Sequence, residues 1–238
     1  MSARSSRWPR CRAGFTLVEL AIVLLILGLL GGGGLSVWQV QAERERRQQQ
    51  QQQLDDVREA LYGYALSERH LPCPDTDYPP NGTENRDGDG GCRAPEGALP
   101  GATLGLGHED QWGRPLRYRV TAAFAARPPP GETAFGLDDS GAVRVVDGDD
   151  RPLATAVPAA VLSYGPQGGR VWRDDGLACP GTAAGFDAAA QRNCDADSAE
   201  LVDAGYRADG GSGAFKHQLT WLSGPVLHAR MVEAGWLP

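Results

Sequence analysis

Near its start the chain reads Arg12-Ala13-Gly14-Phe15-Thr16-Leu17-Val18-Glu19-Leu20 and then continues in a strongly apolar run. Residues 15–37 supply the roughly 20 mostly apolar residues that a membrane helix needs, and Glu19 is their only charged member. An ionised carboxylate in hydrocarbon costs about 2.5–3.5 kcal/mol on insertion scales, so such a residue normally has a partner and a function. Cleavage after Gly14 would create that partner, because the new amine of Phe15 in a neighbouring subunit could pair with Glu19.

The stretch Gly14-Phe15-Thr16-Leu17-Val18-Glu19-Leu20 resembles, residue for residue, the processing site of type IV prepilins and type II secretion pseudopilins. In that family the prepilin peptidase removes the leader after the glycine, on the cytoplasmic side, and methylates the new N-terminal phenylalanine. The resemblance implies processing between Gly14 and Phe15. It also implies that Glu19 serves in subunit assembly.

Two other interpretations of this region fit less well. A secretory signal peptide has an apolar core of about 7–15 residues, tolerates a glutamate poorly and ends in an A-x-A-like site. Here the apolar run is longer, contains Glu19 and lacks such a site. The second alternative is an ordinary membrane anchor that is never processed.

The sequence divides into four parts: a cleaved basic leader (1–14), a transmembrane and assembly helix (15–40), a neck and amphipathic helix (41–70) and a loop-rich periplasmic β head (71–238). The arginines of the leader place the N-terminus in the cytoplasm by the positive-inside rule. We therefore expect a single-pass inner-membrane protein that later enters a pilus or pseudopilus filament. The expected fold is α+β and pilin-like, with a long N-terminal α-helix, half transmembrane and half amphipathic, packed on a small antiparallel β-sheet head with long disulfide-closed loops.

The pattern stays helical up to the proline at position 72, which cannot continue a helix. Leu54, Val57, Leu61 and Tyr64 fall on one face of this helix. Residues 43–53, with six consecutive glutamines, have no apolar stripe and predict a solvated neck.

Four consecutive glycines, residues 31–34, weaken the helix, since each costs about 1 kcal/mol relative to alanine. One interpretation is a segment that melts or stretches when subunits pack into a filament, as pilin helices are thought to do nearby. The alternative is close helix–helix packing through Gly28-x-x-x-Gly32. The sequence leaves both open.

Charge and cysteine content agree with an exported head. Removing the four leader arginines from the formal net charge of −7 leaves −11 for the rest of the chain, which argues against nucleic acid as a partner. Cys73, Cys92, Cys179 and Cys194 allow three disulfide connectivities, and the smaller loops favour Cys73–Cys92 and Cys179–Cys194. A zinc site is less favoured because no C-x-x-C pair and no histidine stands at ligand spacing.

One loop carries a candidate calcium site. The spacing of an EF-hand loop is matched by Asn85, Asp87, Asp89 and Glu96, with Gly90 at the turn position. The departures are the asparagine in first place, Cys92 at the central aliphatic position and Pro95 late in the loop. Acidic glycine-rich stretches are also good turn formers. Calcium is therefore a candidate ligand, and we expect no other cofactor.

Two motifs in the head resemble turns of pseudopilins. Asp110-x-Trp112-Gly113-Arg114-Pro115-x-x-Tyr118 is similar to the motif that opens the first head strand of major pseudopilins, and Ser163-x-Gly165-Pro166-x-Gly168 is similar to a second turn. The resemblance implies a structural role, in which the aspartate ties the turn and the tryptophan and tyrosine bury against the long helix. Residues 133–137 and 142–146 predict a strand–turn–strand unit, and residues 218–222 and 225–234 predict a final strand and a short helix.

The resemblance implies a structural subunit of a type II secretion pseudopilus or a type IV pilus, not an enzyme. The strand motifs favour a secretion pseudopilin, while a large head with two disulfides suits a minor subunit of either filament. Its expected partners are the prepilin peptidase, other pilin or pseudopilin subunits, an inner-membrane assembly platform and membrane lipid. The alternative is a membrane-anchored periplasmic binding or hydrolytic domain with a prepilin-like leader. The scattered histidines, His70, His108, His217 and His228, do not favour it.

Overall fold

A computed structural model describes most of the chain, namely residues 16–173, 176–177, 187–195, 198–207 and 214–238. The chain forms two compact units, Met1–Arg46 and Arg47–Pro238. The second unit is the head.

The longest element is helix α1, Leu17–Glu68, as the helical pattern predicts. Its backbone remains helical through the four glycines, residues 31–34, so the predicted weak point does not interrupt the helix. Within the described part of the chain, no helix combines the length and the apolar character required to cross a membrane.

The buried face of α1 is broader than predicted. Leu54, Val57 and Leu61 are buried, but Tyr64 is only half-buried. Tyr62 and Ala65 are buried in its neighbourhood instead. Both lie on the side of the predicted stripe that faces away from Tyr64, so the buried face of α1 is shifted around the helix from the predicted one.

The prediction of a solvated neck over residues 43–53 is wrong at its C-terminal end. Gln50 is completely buried, and its Oε1 accepts the backbone N–H of Gln111 at 2.9 Å. The Arg47 guanidinium lies 3.7 Å from the centre of the Tyr206 ring. Polar side chains can enter a protein interior when they are hydrogen-bonded, and a search for an apolar stripe does not detect such packing.

The described residues of the head form two main sheets and a two-stranded ribbon. Their strands are β1 Glu96–Ala98, β2 Arg117–Val120, β3 Val143–Asp147, β4 Pro152–Val157, β5 Ala159–Ser163, β6 Trp172–Arg173, β7 Gly176–Leu177, β8 Glu200–Asp203 and β9 Gln218–Trp221. The first sheet, in the order β1-β2-β5-β9, is antiparallel throughout. The second has the order β4-β3-β8, and its β3 and β8 are parallel. The head thus has the predicted antiparallel sheet together with a mixed sheet that the sequence did not predict.

The first sheet separates two hydrophobic cores. In β5, Ala159 and Val161 belong to the core that contains the buried residues of α1, whereas Ala160 and Leu162 belong to the core that contains residues of β3 and β8. Because successive side chains of a strand point to opposite faces, β5 is buried on both sides and forms the middle layer of the head.

The predicted strand–turn–strand unit is wrong in its first strand, whereas its second strand, residues 142–146, is confirmed as β3. Residues 133–137 form no strand, and Phe135 packs against Phe124 with ring centres 4.6 Å apart. Strand β3 instead pairs with β4. Asp147 holds the turn between them, because its Oδ1 accepts the backbone N–H groups of Asp149 and Arg151 at 2.8 and 2.9 Å.

Short helices complete the head: α2 Gly101–Leu104, α3 Ala122–Ala125, a 3₁₀ turn Gly165–Arg170, α4 Ala188–Arg192 and α5 Gly224–Glu233. Strand β9 and helix α5 agree with the sequence prediction. After α5, the indole N–H of Trp236 donates to the carbonyl of Leu66 at 2.9 Å, and Leu237 joins the core beside α1. The C-terminus therefore docks on the head.

Cys73 and Cys92 form one of the two predicted disulfides and close the loop that follows α1. Cys194 is also disulfide-bonded. Its predicted partner, Cys179, lies outside the described residues.

Candidate assembly surface

The N-terminal part of α1 exposes apolar side chains around its whole circumference. They are Leu17, Val18, Leu20, Ile22, Val23, Leu24, Leu25 and Ile26, with between 45 and 86% of their surface exposed. A helix that packs on one side only has an apolar stripe and a polar opposite face. A helix that is apolar all round is one that lipid or other helices surround.

Thr16 and Glu19 begin this helix. The Thr16 hydroxyl accepts the backbone N–H of Glu19 at 3.3 Å, and the N–H of Leu20 donates to the Thr16 carbonyl at 3.1 Å. This is one half of a capping box, whose sequence signal is a threonine followed three residues later by glutamate. Our sequence analysis missed that signal.

The position of Glu19 suits a charge-pairing role. Its side chain is exposed and stands in the first turn of α1, where the partial positive charge of the helix N-terminus stabilises a carboxylate. It can accept a charge-assisted hydrogen bond from a cation of another molecule. The predicted processing residues Gly14 and Phe15 lie outside the described residues.

In the head, the two pseudopilin-like turns meet. The Ser163 hydroxyl donates to Asp110 Oδ2 at 2.7 Å, and Asp110 Oδ1 accepts the backbone N–H groups of Trp112 and Arg114 at 2.9 and 3.0 Å. Burial raises the pKa of Asp110, against the effect of these hydrogen bonds. Tyr118 is fully buried in the core beside α1, whereas Trp112 is only partly buried. The aspartate thus ties the turn, as the resemblance implies.

Two glutamines of α1 hold the same turn. Besides the bond from Gln111 to Gln50, the Gln53 amide donates to the carbonyl of Glu109 at 2.7 Å, and the Gln111 amide donates to Gln53 Oε1 at 3.1 Å. The glutamine run is therefore part of the head structure, in which it fixes the position of the turn on α1.

The candidate calcium residues are used for other contacts. Asp87 Oδ1 accepts the backbone N–H groups of Asp89 and Gly91, Asn85 Oδ1 accepts the N–H of Thr76, and Glu96 lies in β1. Among the residues that the structure describes, no three His, Cys, Asp or Glu side chains are grouped so that they could hold a metal ion. The loop has the geometry of hydrogen-bonded acidic turns.

The Glu96 carboxylate forms ion pairs with Arg117 and Arg119 on the neighbouring strand. The Arg117 guanidinium is buried and also donates to the Tyr164 hydroxyl at 2.9 Å and to the carbonyls of Asn193 and Asp195. This buried cluster joins β1 and β2 to the segment after α4. Sequence reasoning missed it, because the residues are far apart in the chain and follow no known motif.

A second polar cluster fastens the disulfide loop to the end of α1. Glu84 accepts the backbone N–H of Cys73 at 2.9 Å and pairs with Arg86 at 2.9 Å. Burial opposes ionisation of Glu84, but these hydrogen bonds hold its pKa below the ordinary value. An Arg86 nitrogen lies 3.0 Å from His70 Nδ1, and burial lowers the pKa of this histidine.

The structure places the remaining histidines in separate surroundings. His217 lies beside Tyr164 and Phe215, and burial together with the charge of Arg117 lowers its pKa to about 3. His228 lies beside the rings of Phe124 and Phe135. His70 and His217 are buried, His108 and His228 are half-buried, and the described contacts do not bring the four histidines into one site.

Comparison with known proteins finds a family model that matches the N-terminal segment. Residues 9–35 match the family model of the prokaryotic N-terminal methylation motif. No curated protein and no solved structure shows significant similarity to the chain. The matched motif implies processing by prepilin peptidase and assembly with other pilin subunits. The N-terminal segment of this chain is thus the prepilin-type cleavage and methylation motif of type IV pilins and pseudopilins, and it indicates a pilin-like or pseudopilin precursor.

Proposed function

We propose that the chain is a minor structural subunit of a type II secretion pseudopilus or a type IV pilus and catalyses no reaction. It is cleaved after Gly14, methylated at Phe15 and assembled through its apolar helix. Before assembly it spans the inner membrane once, with its N-terminus in the cytoplasm and its head in the periplasm. The observation that carries the proposal is the match of residues 9–35 to the methylation motif, together with the exposed apolar side chains of residues 17–26 within that match.

The proposal gives Glu19 a defined task. In a filament the apolar side chains of α1 would be buried against equivalent helices, which is favourable at about 25 cal/mol for each Å² of apolar surface removed from water. Such packing alone has no fixed register. A carboxylate paired with the Phe15 amine of a neighbouring subunit would fix the register, because an unpaired charge in an apolar environment is costly.

Of the two candidate filaments, the type II secretion pseudopilus and the type IV pilus, we favour the secretion pseudopilus. Its support is the turn motif at residues 110–118, whose aspartate bonds the turn as the resemblance implies. The acidic chain gives no support to nucleic acid as a ligand.

The intact mass of the protein from its native host tests the processing. We expect the mass of residues 15–238 plus one methyl group, reduced by the four hydrogens lost in forming two disulfides. A mass that includes the leader would contradict the proposal.

Substitution of Glu19 tests the assembly. We expect Glu19→Ala and Glu19→Leu to be inserted and processed normally but lost from purified filaments, because the pairing carboxylate is missing. The matched control is Glu45→Ala, which removes an exposed glutamate further along the same helix and should leave incorporation unchanged. Normal incorporation of the Glu19 variants would exclude the pairing role.

A further inference from the structure

The two main sheets have four edges, and three of them are covered or interrupted in ways that prevent further strands from adding. Backbone hydrogen bonds between Asp75 and Ala98 cover β1. The side-chain amide of Asn193 covers β8, because it donates to the carbonyl of Val202 at 2.7 Å and accepts its N–H at 2.6 Å. Strand β4 begins with a proline, and its pairing with β3 is broken by register shifts.

The fourth edge is that of β9. The N–H of Leu222, just after this strand, donates to the carbonyl of Ala159 at 2.9 Å. Because inward and outward residues alternate in an antiparallel ladder, the backbone N–H and C=O groups of Leu219 and Trp221 point away from β5. No hydrogen bond to these outward groups is formed within the described part of the chain.

A groove with a volume of about 510 Å³ runs along this edge. Leu219, Thr220 and Trp221 form its floor, α1 and α5 line it, and Asp203 at the end of β8 also borders it. The groove is therefore placed to admit an extended peptide next to β9.

The charged side chains that line the groove determine which charge a bound peptide should carry. Arg58 pairs with Asp55 at 3.1 Å, and Arg230 pairs with Glu59 at 2.8 Å. Asp203 forms no ion pair with a described residue and accepts only the N–H of Gly205. The groove thus has one uncompensated carboxylate. A second copy of this acidic chain, with a net charge of −11 beyond the leader, would be repelled.

We propose that this groove binds an extended segment of a different protein chain, which adds a strand beside β9 and places a lysine or arginine against Asp203. Main-chain hydrogen bonds to Leu219 and Trp221 would supply affinity, and the side chains that alternate along the added strand would supply specificity. The proposal does not rest on the filament function.

Amide hydrogen exchange of the full chain, followed by NMR, tests the open edge. In the free protein the amides of Leu219 and Trp221 should exchange faster than the amide of Thr220, which lies in the ladder. An eight-residue peptide of alternating lysine and valine should slow both outward amides, by about threefold at a peptide concentration twice the dissociation constant. The same peptide with N-methylated backbone amides should not slow them.

Charge reversal tests the specificity. Asp203→Lys should abolish the effect of the lysine peptide and create one for a peptide of alternating glutamate and valine. Asp149→Lys, which reverses an exposed carboxylate outside the groove, should behave as the native chain. The proposal is overturned if the two amides are already protected in the free protein, if the lysine peptide leaves them unprotected, or if both peptides protect equally.

Discussion

The N-terminal part of α1 and the head differ in where their charged groups lie and in what pairs with them. In residues 17–46 an exposed carboxylate, Glu19, accompanies exposed apolar side chains, and the proposed function supplies partners for both from other subunits. In Arg47–Pro238 the Arg117 side chain is buried and pairs inside the chain with Glu96, whose side chain is only 9% exposed. The comparison teaches that the carboxylate of the first region is available to another molecule, whereas the charges of the second are used to join the layers of the head.

We expect Arg117→Ala to cause the largest loss in the free energy of unfolding. This change leaves the largely buried Glu96 with Arg119 as its remaining ion-pair partner and removes the bonds to Tyr164 and Asn193. Breaking a buried ion pair from one side costs about 3–5 kcal/mol, and denaturant unfolding of the chain in detergent would measure the loss. The control Arg144→Ala removes an arginine that is about half exposed and pairs with Glu200 at 3.7 Å, and it should cost less than about 1 kcal/mol. If both variants lost a similar free energy of unfolding, burial of the cluster would make no special contribution to stability.

The second prediction concerns pH and the buried His217. Its pKa is about 3 in the folded chain and about 6.5 when unfolded, so the unfolded chain binds the proton more readily. Stability from the neutral ring is therefore complete above about pH 6.5 and is lost as the pH falls toward 3.

Between pH 7 and pH 5 the free energy of unfolding should fall by about 2 kcal/mol from this group. Urea unfolding at the two pH values measures this difference. His217→Gln should remove most of the pH dependence, whereas His108→Gln, at a half-buried position, should retain it. An unchanged slope in His217→Gln would contradict the prediction.

We expect substitutions in the N-terminal part of α1 to have the smallest effect on the free energy of unfolding of the head. Leu25 is 63% exposed, so Leu25→Ala should change the free energy of unfolding of the head by less than about 0.5 kcal/mol. Leu61 lies on the same helix but is completely buried, and Leu61→Ala should cost about 2–5 kcal/mol. If Leu25→Ala destabilised the head as much as Leu61→Ala, the two parts of α1 would not have the separate roles described above.

The sequence predicted the features whose signals are local. Helix α1, strand β9, helix α5 and the Asp110 turn follow from periodicity, from proline or from a short motif. The first strand of the strand–turn–strand prediction was wrong because alternation over residues 133–137 does not reveal that Phe135 packs on Phe124. The burial of Gln50 and of the Glu96–Arg117 pair depends on partners far away in the chain, which a local pattern cannot specify.

The cover that Asn193 provides for β8 has a consequence for how the protein ages. Hydrolysis of its side-chain amide would replace the donor nitrogen with a carboxylate oxygen, which would then face the carbonyl oxygen of Val202. Two acceptors would meet where a hydrogen bond now exists, at a residue with 0% of its surface exposed. Because water must reach the amide for direct hydrolysis, that reaction at Asn193 would proceed only in molecules that have transiently opened. Burial thus protects the Asn193 side chain, whose hydrogen bonds to Val202 cover the edge of β8.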